Sequence, residues 1–252
     1  MSLVETVVHG HVSELRLARP PVNALNPELC HDLRQALDNA LVNGARGIVL
    51  AGGPKVFSAG LDVPYLLSLG NDTTALLDAW NAFFDAARAL IACPVPVVAA
   101  MAGHAPAGGC VLALCCDYRV MAEGPYRIGL NETQVGLVAP EGIQALLSRV
   151  VGPHRSERLL VSGALIDAKE ALRIGLVDEL TGIDSVATRA RVWLDELLLL
   201  PREPMLETRR IARRDAVATL QPDHIDLPRF VAAWTHPDTQ SGLRAMLERI
   251  GK

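Results

Sequence analysis

Two short runs near the start of the chain, residues 3–8 and 12–17, alternate apolar and polar positions with the period of half-buried strands and read as a strand pair. A helix is expected next. Asn26 offers a side-chain oxygen to cap it, Pro27 suits the first helical position, and Leu29, Leu33, Leu37 and Leu41 recur at helical spacing. Residues 47–52 then read as a buried strand, which gives a strand, strand, helix, strand order and points to an α/β class. A helix over 72–91 and a central strand over 95–101 repeat the unit in outline, followed by a helix over 108–116, a strand over 118–122 and a helix over 142–151. Beyond residue 180 strand signals thin out. Helices are expected over 185–200, 204–220, 227–234 and 239–250, so a helical C-terminal region should cap an α/β core.

Residues 89–116 contain no Asp, Glu, Lys or Arg, a length that would suffice to span a bilayer. Pro94, Pro96, Gly103, Pro106, Gly108 and Gly109 interrupt any continuous helix there, and lipid would leave the freed backbone groups unpaired. A buried strand, a loop and a buried helix fit better, and no membrane partner is expected. Half of the 252 residues are apolar and 21% are charged, which suits a soluble globular chain. The net charge of −4 supplies no basic field for nucleic acid. Arg209, Arg210, Arg213 and Arg214 come nearest to a basic cluster and read as the solvated face of an amphipathic helix, with a local anion contact as the alternative. Cys30, Cys93, Cys110, Cys115 and Cys116 lie mostly in apolar runs without paired spacing and are expected to be reduced and buried. The N-terminus lacks a basic segment followed by an apolar one, so a cytoplasmic location is expected.

Three segments carry candidate chemistry: Phe57-Ser-Ala-Gly-Leu-Asp62, His104-Ala-Pro-Ala-Gly-Gly-Cys110 and Ile128-Gly-Leu-Asn-Glu-Thr-Gln-Val-Gly136. The first two are small-residue loops beside helix starts, where backbone N–H groups lack intrahelical partners. Two such groups aimed at one point bind an oxyanion, and glycine permits the close approach this needs. Each loop taken alone also reads as a tight turn packed into the core. The third segment places Glu132 in a stretch, 128–140, that is otherwise uncharged. Desolvated there, its pKa would rise towards the range of a general base; as a residue at a helix start it could equally face water. Elsewhere the seven histidines show no metal-ligand spacing, and no GxSxG, GxGxxG or Walker loop occurs, so neither a metal nor a cofactor is expected. His104 reads as a packed loop residue.

Taken together, these segments resemble the crotonase superfamily of enoyl-CoA hydratases and isomerases. Pro21-Val-Asn-Ala-Leu25, the 57–62 loop, Pro96-Val-Val-Ala-Ala100 followed by Gly103, Gly108-Gly109-Cys110 and Cys116-Asp-Tyr-Arg119 occur in the family's order. Ser162-Gly163, Ala168-Lys-Glu-Ala171 and Gly175-Leu-Val177 resemble its later signature. The resemblance implies a β/α spiral of repeated ββα units, with residues 1–190 as the core holding a CoA ester and 191–252 as a helical region for trimerisation and active-site cover. It implies the backbone N–H groups of Leu61 and Gly108 as oxyanion donors, and coenzyme A held near Asn23, Ala24, Leu25, Ser58 and Ala59. It also implies an acyl-CoA thioester as substrate, with the coenzyme arriving as part of that substrate, and a homotrimer.

Hydratases of the family set two glutamates on one substrate face; here the first position is Val111 and the second is Glu132. One carboxylate suffices to move a double bond, taking a proton from C2 of a 3-enoyl thioester and returning it at C4. Residues 115–122, with Gly129-Leu-Asn-Glu-Thr-Gln-Val-Gly-Leu-Val-Ala-Pro140, are very like the mitochondrial-type Δ3,Δ2-enoyl-CoA isomerase subfamily. Two alternatives stand beside this. One is a hydratase or thioester hydrolase in which Glu141 complements Glu132, although Glu141 also reads as a solvent-facing residue at a helix start. The other is an acyl-CoA-binding protein without turnover.

Overall fold

The structure is a computed structural model that describes residues 2–249. The chain opens with β1 (Val4–His9) and β2 (Val12–Leu17), antiparallel and joined at Gly10, followed by α1 (Pro27–Val42) and β3 (Gly47–Ala51). Next come α2 (Val63–Ser68), α3 (Thr73–Ile91), β4 (Val97–Met101), β5 (Ala105–Pro106), α4 (Gly108–Leu114), β6 (Tyr118–Ala122) and β7 (Arg127–Gly129). A 3₁₀ turn, Glu132–Val135, leads into α5 (Glu141–Val151), α6 (Pro153–Ser162), β8 (Ile166–Asp167), α7 (Ala168–Arg173) and β9 (Glu179–Thr181). Four helices finish the chain: α8 (Val186–Leu197), α9 (Arg202–Thr219), α10 (Leu227–Trp234) and α11 (Pro237–Arg249). The last expected helical residue, Ile250, lies outside the described residues.

Six strands form the main sheet in the order β1-β2-β3-β4-β6-β9, parallel after the first pair, and β5, β7 and β8 form a small second sheet. Helices between parallel strands are what a βαβ chain requires, since the crossover must return to the same edge. Successive side chains of a strand face opposite ways. Ile48, Leu50, Val97, Ala99 and Met101 therefore face the large core built with α1 and α3, while Val49, Val98, Ala100 and Val120 face α8. α1 starts where the sequence predicts, because the Asn26 side chain accepts from Leu29 N at 3.0 Å. The central strand begins at Val97 instead of residue 95, after Pro96, which has no N–H to give a ladder. Sequence periodicity misses α2, α7 and the two- and three-residue strands, which are too short to show a period, and also α6, in which Ser156 alone is fully buried.

Residue 190, the boundary suggested by the family resemblance, falls inside α8, whose Ala190 and Leu194 pack on the main sheet. α9 requires a correction. Its arginines do not form one solvated face: Arg209 and Arg213 turn inward and share Asp117. Arg209 bonds both oxygens of Asp117, at 2.9 and 2.8 Å, and Arg213 reaches the first at 2.9 Å. Asp117 also accepts from Val97 N at 2.8 Å, and Arg213 donates to Cys115 O at 2.6 Å. The anion contact is thus internal, and it fastens α9 to the start of β4 and the end of α4. Arg210 and Arg214 remain exposed. All five cysteines are buried and unpaired. Among the described residues no helix is long and apolar enough to cross a membrane.

Candidate active site

The 57–62 loop is fixed on both sides by main-chain bonds. Ala59 N donates to Val22 O, Leu25 N to Gly60 O and Asp62 N to Leu25 O, at 2.9, 2.8 and 3.1 Å. Leu61 lies between the last two contacts, so its own N–H is directed away from the 23–25 segment. Gly108 is the first residue of α4, where an N–H has no intrahelical acceptor. Gly60 brings the two loops together. A Cβ built on it would lie 2.9 Å from Gly108 N, and its φ of +84° is one that side-chain-bearing residues rarely adopt. Leu61 and Gly108 both line one cavity, and among the described residues neither N–H has an acceptor.

That cavity measures about 700 Å³. Trp80, Phe83, Phe84, Val111, Phe230 and Trp234 give it an apolar, largely aromatic wall, with Trp80 edge-on to Phe230 at 4.3 Å between centroids. Its ionisable lining residues are Arg19, Asp62 and Glu132. The first two neutralise each other at 2.6 Å, and Arg19 also donates to Ala24 O at 2.8 Å while Asp62 caps α2. Arg19 went unnoticed in the sequence, because nothing local distinguishes it from any surface arginine.

Glu132 opens the 3₁₀ turn, and its Oε2 is buried without a hydrogen-bond partner. Burial disfavours the charged form and pushes its pKa from 4.5 to about 7, with its own backbone N–H pulling weakly the other way. Such a carboxylate changes its charge near neutrality and can carry a proton in both directions. Val111, where the hydratase pattern has its other glutamate, is an apolar lining residue 1% exposed.

The residues expected near coenzyme A divide into two groups. Ala24 and Ala59 line the cavity. Asn23, Leu25 and Ser58 are buried braces behind it: Asn23 donates to Phe57 O at 3.0 Å, Ser58 donates to Asn23 O at 2.8 Å, and Leu25 packs on Gly108. The reading of Glu141 as an assisting acid is corrected. It starts α5 outside the cavity, its side chain is 59% exposed, and it pairs with Arg229 at 3.0 Å. His104 is the packed loop residue expected, accepting from Arg127 N at 3.1 Å beside the Tyr126 ring.

Comparison with known proteins agrees with this architecture. The enoyl-CoA hydratase/isomerase family profile matches residues 8–251. Mouse mitochondrial enoyl-CoA delta isomerase 1 is 34% identical over 98% of this chain and 86% of its own length. A probable enoyl-CoA hydratase from Mycobacterium avium is 35% identical over 76% of this chain and 74% of its own. The crystal structure of human mitochondrial delta3-delta2-enoyl-CoA isomerase superposes with a TM-score of 0.92 at 31% identity, covering 98% of both chains. The paired glycine loops, the lone carboxylate and these matches along nearly the whole chain agree, and the protein belongs to the enoyl-CoA hydratase/isomerase family, with the crotonase fold.

Proposed function

We propose that the protein is a Δ3,Δ2-enoyl-CoA isomerase acting on fatty acyl-CoA esters in β-oxidation. The observation that carries this reading is the presence of one carboxylate without a cationic partner, Glu132, its Oε2 buried and unbonded, in a cavity where Val111 occupies the place of a hydratase's other acid. In the reaction Glu132 takes the C2 proton of a 3-enoyl thioester. The electron pair flows into the thioester carbonyl, and the Leu61 and Gly108 N–H groups hold the resulting dienolate oxygen. The protonated Glu132 then delivers its proton to C4, the double bond settles between C2 and C3, and the carbonyl re-forms. Positioned proton transfer contributes roughly 10²–10⁴-fold and each oxyanion donor roughly 10²–10³-fold, so the two together supply much of the acceleration. Coenzyme A enters as part of the substrate, Ala24 and Ala59 contacting it and Asn23, Leu25 and Ser58 bracing that wall. The reaction needs no separate cofactor.

A spectrophotometric assay on 3-enoyl, 2-enoyl and saturated acyl-CoA esters tests the reading. Double-bond migration is expected with the first substrate, and Glu132→Gln should lose at least about 100-fold in kcat while retaining fold and ligand affinity. Release of free CoA without migration, or full activity in that variant, would overturn it. A mycobacterial relative is named as a hydratase, and water addition to the 2-enoyl ester is the outcome that would favour that chemistry.

A further inference from the structure

We propose that Thr239 is a positioning residue for Glu132, joining the helix that walls the acyl end of the cavity to the turn that carries the base. The inference rests on the isomerase reading above for its catalytic readout, and on geometry for everything else. Glu132–Val135 is a single 3₁₀ turn, too short to hold its own shape without neighbours. From one side α6 and its following residue support it: Thr133 Oγ1 donates to Leu160 O at 3.2 Å, and Gln134 Nε2 to Gly163 O at 2.8 Å. From the other side the support is α11. Thr239 Oγ1 donates to Gly136 O at 2.9 Å, and Thr239 is 2% exposed.

Two glycines make that docking close. Gly136 ends the turn at φ +76°, and a Cβ on it would meet the Thr239 backbone at 3.2 Å. Gly242, one helical turn further along α11, would meet Val135 main-chain atoms at 3.3 Å. The same helix then lends Leu243 and Met246 to the cavity wall. One rigid element therefore touches both the space for the acyl chain and the turn bearing the carboxylate. Its described charged side chains, Asp238, Arg244 and Glu248, and those of α6, His154, Arg155, Glu157 and Arg158, are all exposed. From α4, burial first and the Glu132 charge second push the Cys110 thiol up, so that it stays neutral. The placement of the turn, more than a nearby charge, thus governs how dry Glu132 is.

The experiment compares Thr239→Val, which keeps the shape and loses the hydroxyl, with Thr239→Ser, which restores it. In the valine variant kcat should fall about tenfold, since small misplacements of a catalytic group are expensive, while KM for a short 3-enoyl ester changes less than about twofold. The inflection of kcat/KM against pH should move below its wild-type position as water reaches the carboxylate, and serine should recover both. A purely structural role would lower the melting temperature and leave kcat and the inflection alone. Glu132 titration is also followed without substrate, as the infrared carboxyl band that Glu132→Gln lacks. If the wild type shows no isomerase activity, the functional reading falls and that band alone decides the role of Thr239. Should Thr239→Val fail to fold, Gly242→Ala, which presses α11 away from Val135, is expected to shift the band in the same direction. A folded valine variant with wild-type kcat and an unmoved band overturns the proposal, as does an unmoved band in the alanine variant when it is the one tested.

Discussion

A glutamate in water ionises near 4.5, whereas burial pushes Glu132 up to about 7, its own backbone N–H offsetting only part of this while Oε2 has no partner. A general base must be ionised to accept a proton, so kcat/KM should rise with pH through about 7 and level off above it. The same displacement has a thermodynamic sign. Because the folded pKa is raised, the contribution to stability is complete below 4.5 and is lost as pH climbs through about 7. The loss amounts to at most on the order of 3 kcal/mol, given about 1.4 kcal/mol for each tenfold displacement of the ionisation equilibrium. Glu132→Gln, always neutral, should therefore gain stability relative to the wild type between pH 5 and pH 8. Urea unfolding at the two values measures this, and an unchanged difference would mean that the carboxylate is already solvated. At this scale the sequence showed a lone acid in an otherwise uncharged stretch, but not whether it faced water.

Among the elements, those with a clear pattern were legible: α1, α3 and the strands at 12–17, 47–51 and 118–122 form where helical spacing, alternation or a short apolar run places them. α9 shows where periodicity misleads. Arginines at 209 and 213 occupy one stripe of the helix and look solvated, yet that stripe faces Asp117, whose carboxylate lies far away in sequence. Buried arginine tolerates such a site only when paired and hydrogen-bonded. Asp117→Ala would leave two inward guanidinium groups without their anion and remove the acceptor for Val97 N. Stability should fall by about 3–5 kcal/mol, the range for breaking a buried ion pair from one side. Denaturant titration tests this, and a loss below about 1 kcal/mol would show that the arginines find water instead.

For the molecule as a whole, we propose the homotrimer that the sequence resemblance implies, for which light scattering coupled to chromatography should give three times the chain mass. A stable monomer would refute that expectation. The amino-acid sequence by itself determined the class of the fold and the ingredients of the site, because strand and helix periods, the Asn26 cap and the two small-residue loops are local properties that neighbouring residues specify. Tertiary structure alone decided which groups share an environment. Glu132, with its Oε2 buried, shares one cavity with aromatic residues from 80–84 and 230–234 and with Leu243 and Met246 of α11. Glu141, nine residues further on, instead meets Arg229 in solvent. Solvation depends on what distant segments exclude from one point in space, and no pattern within a single segment records it.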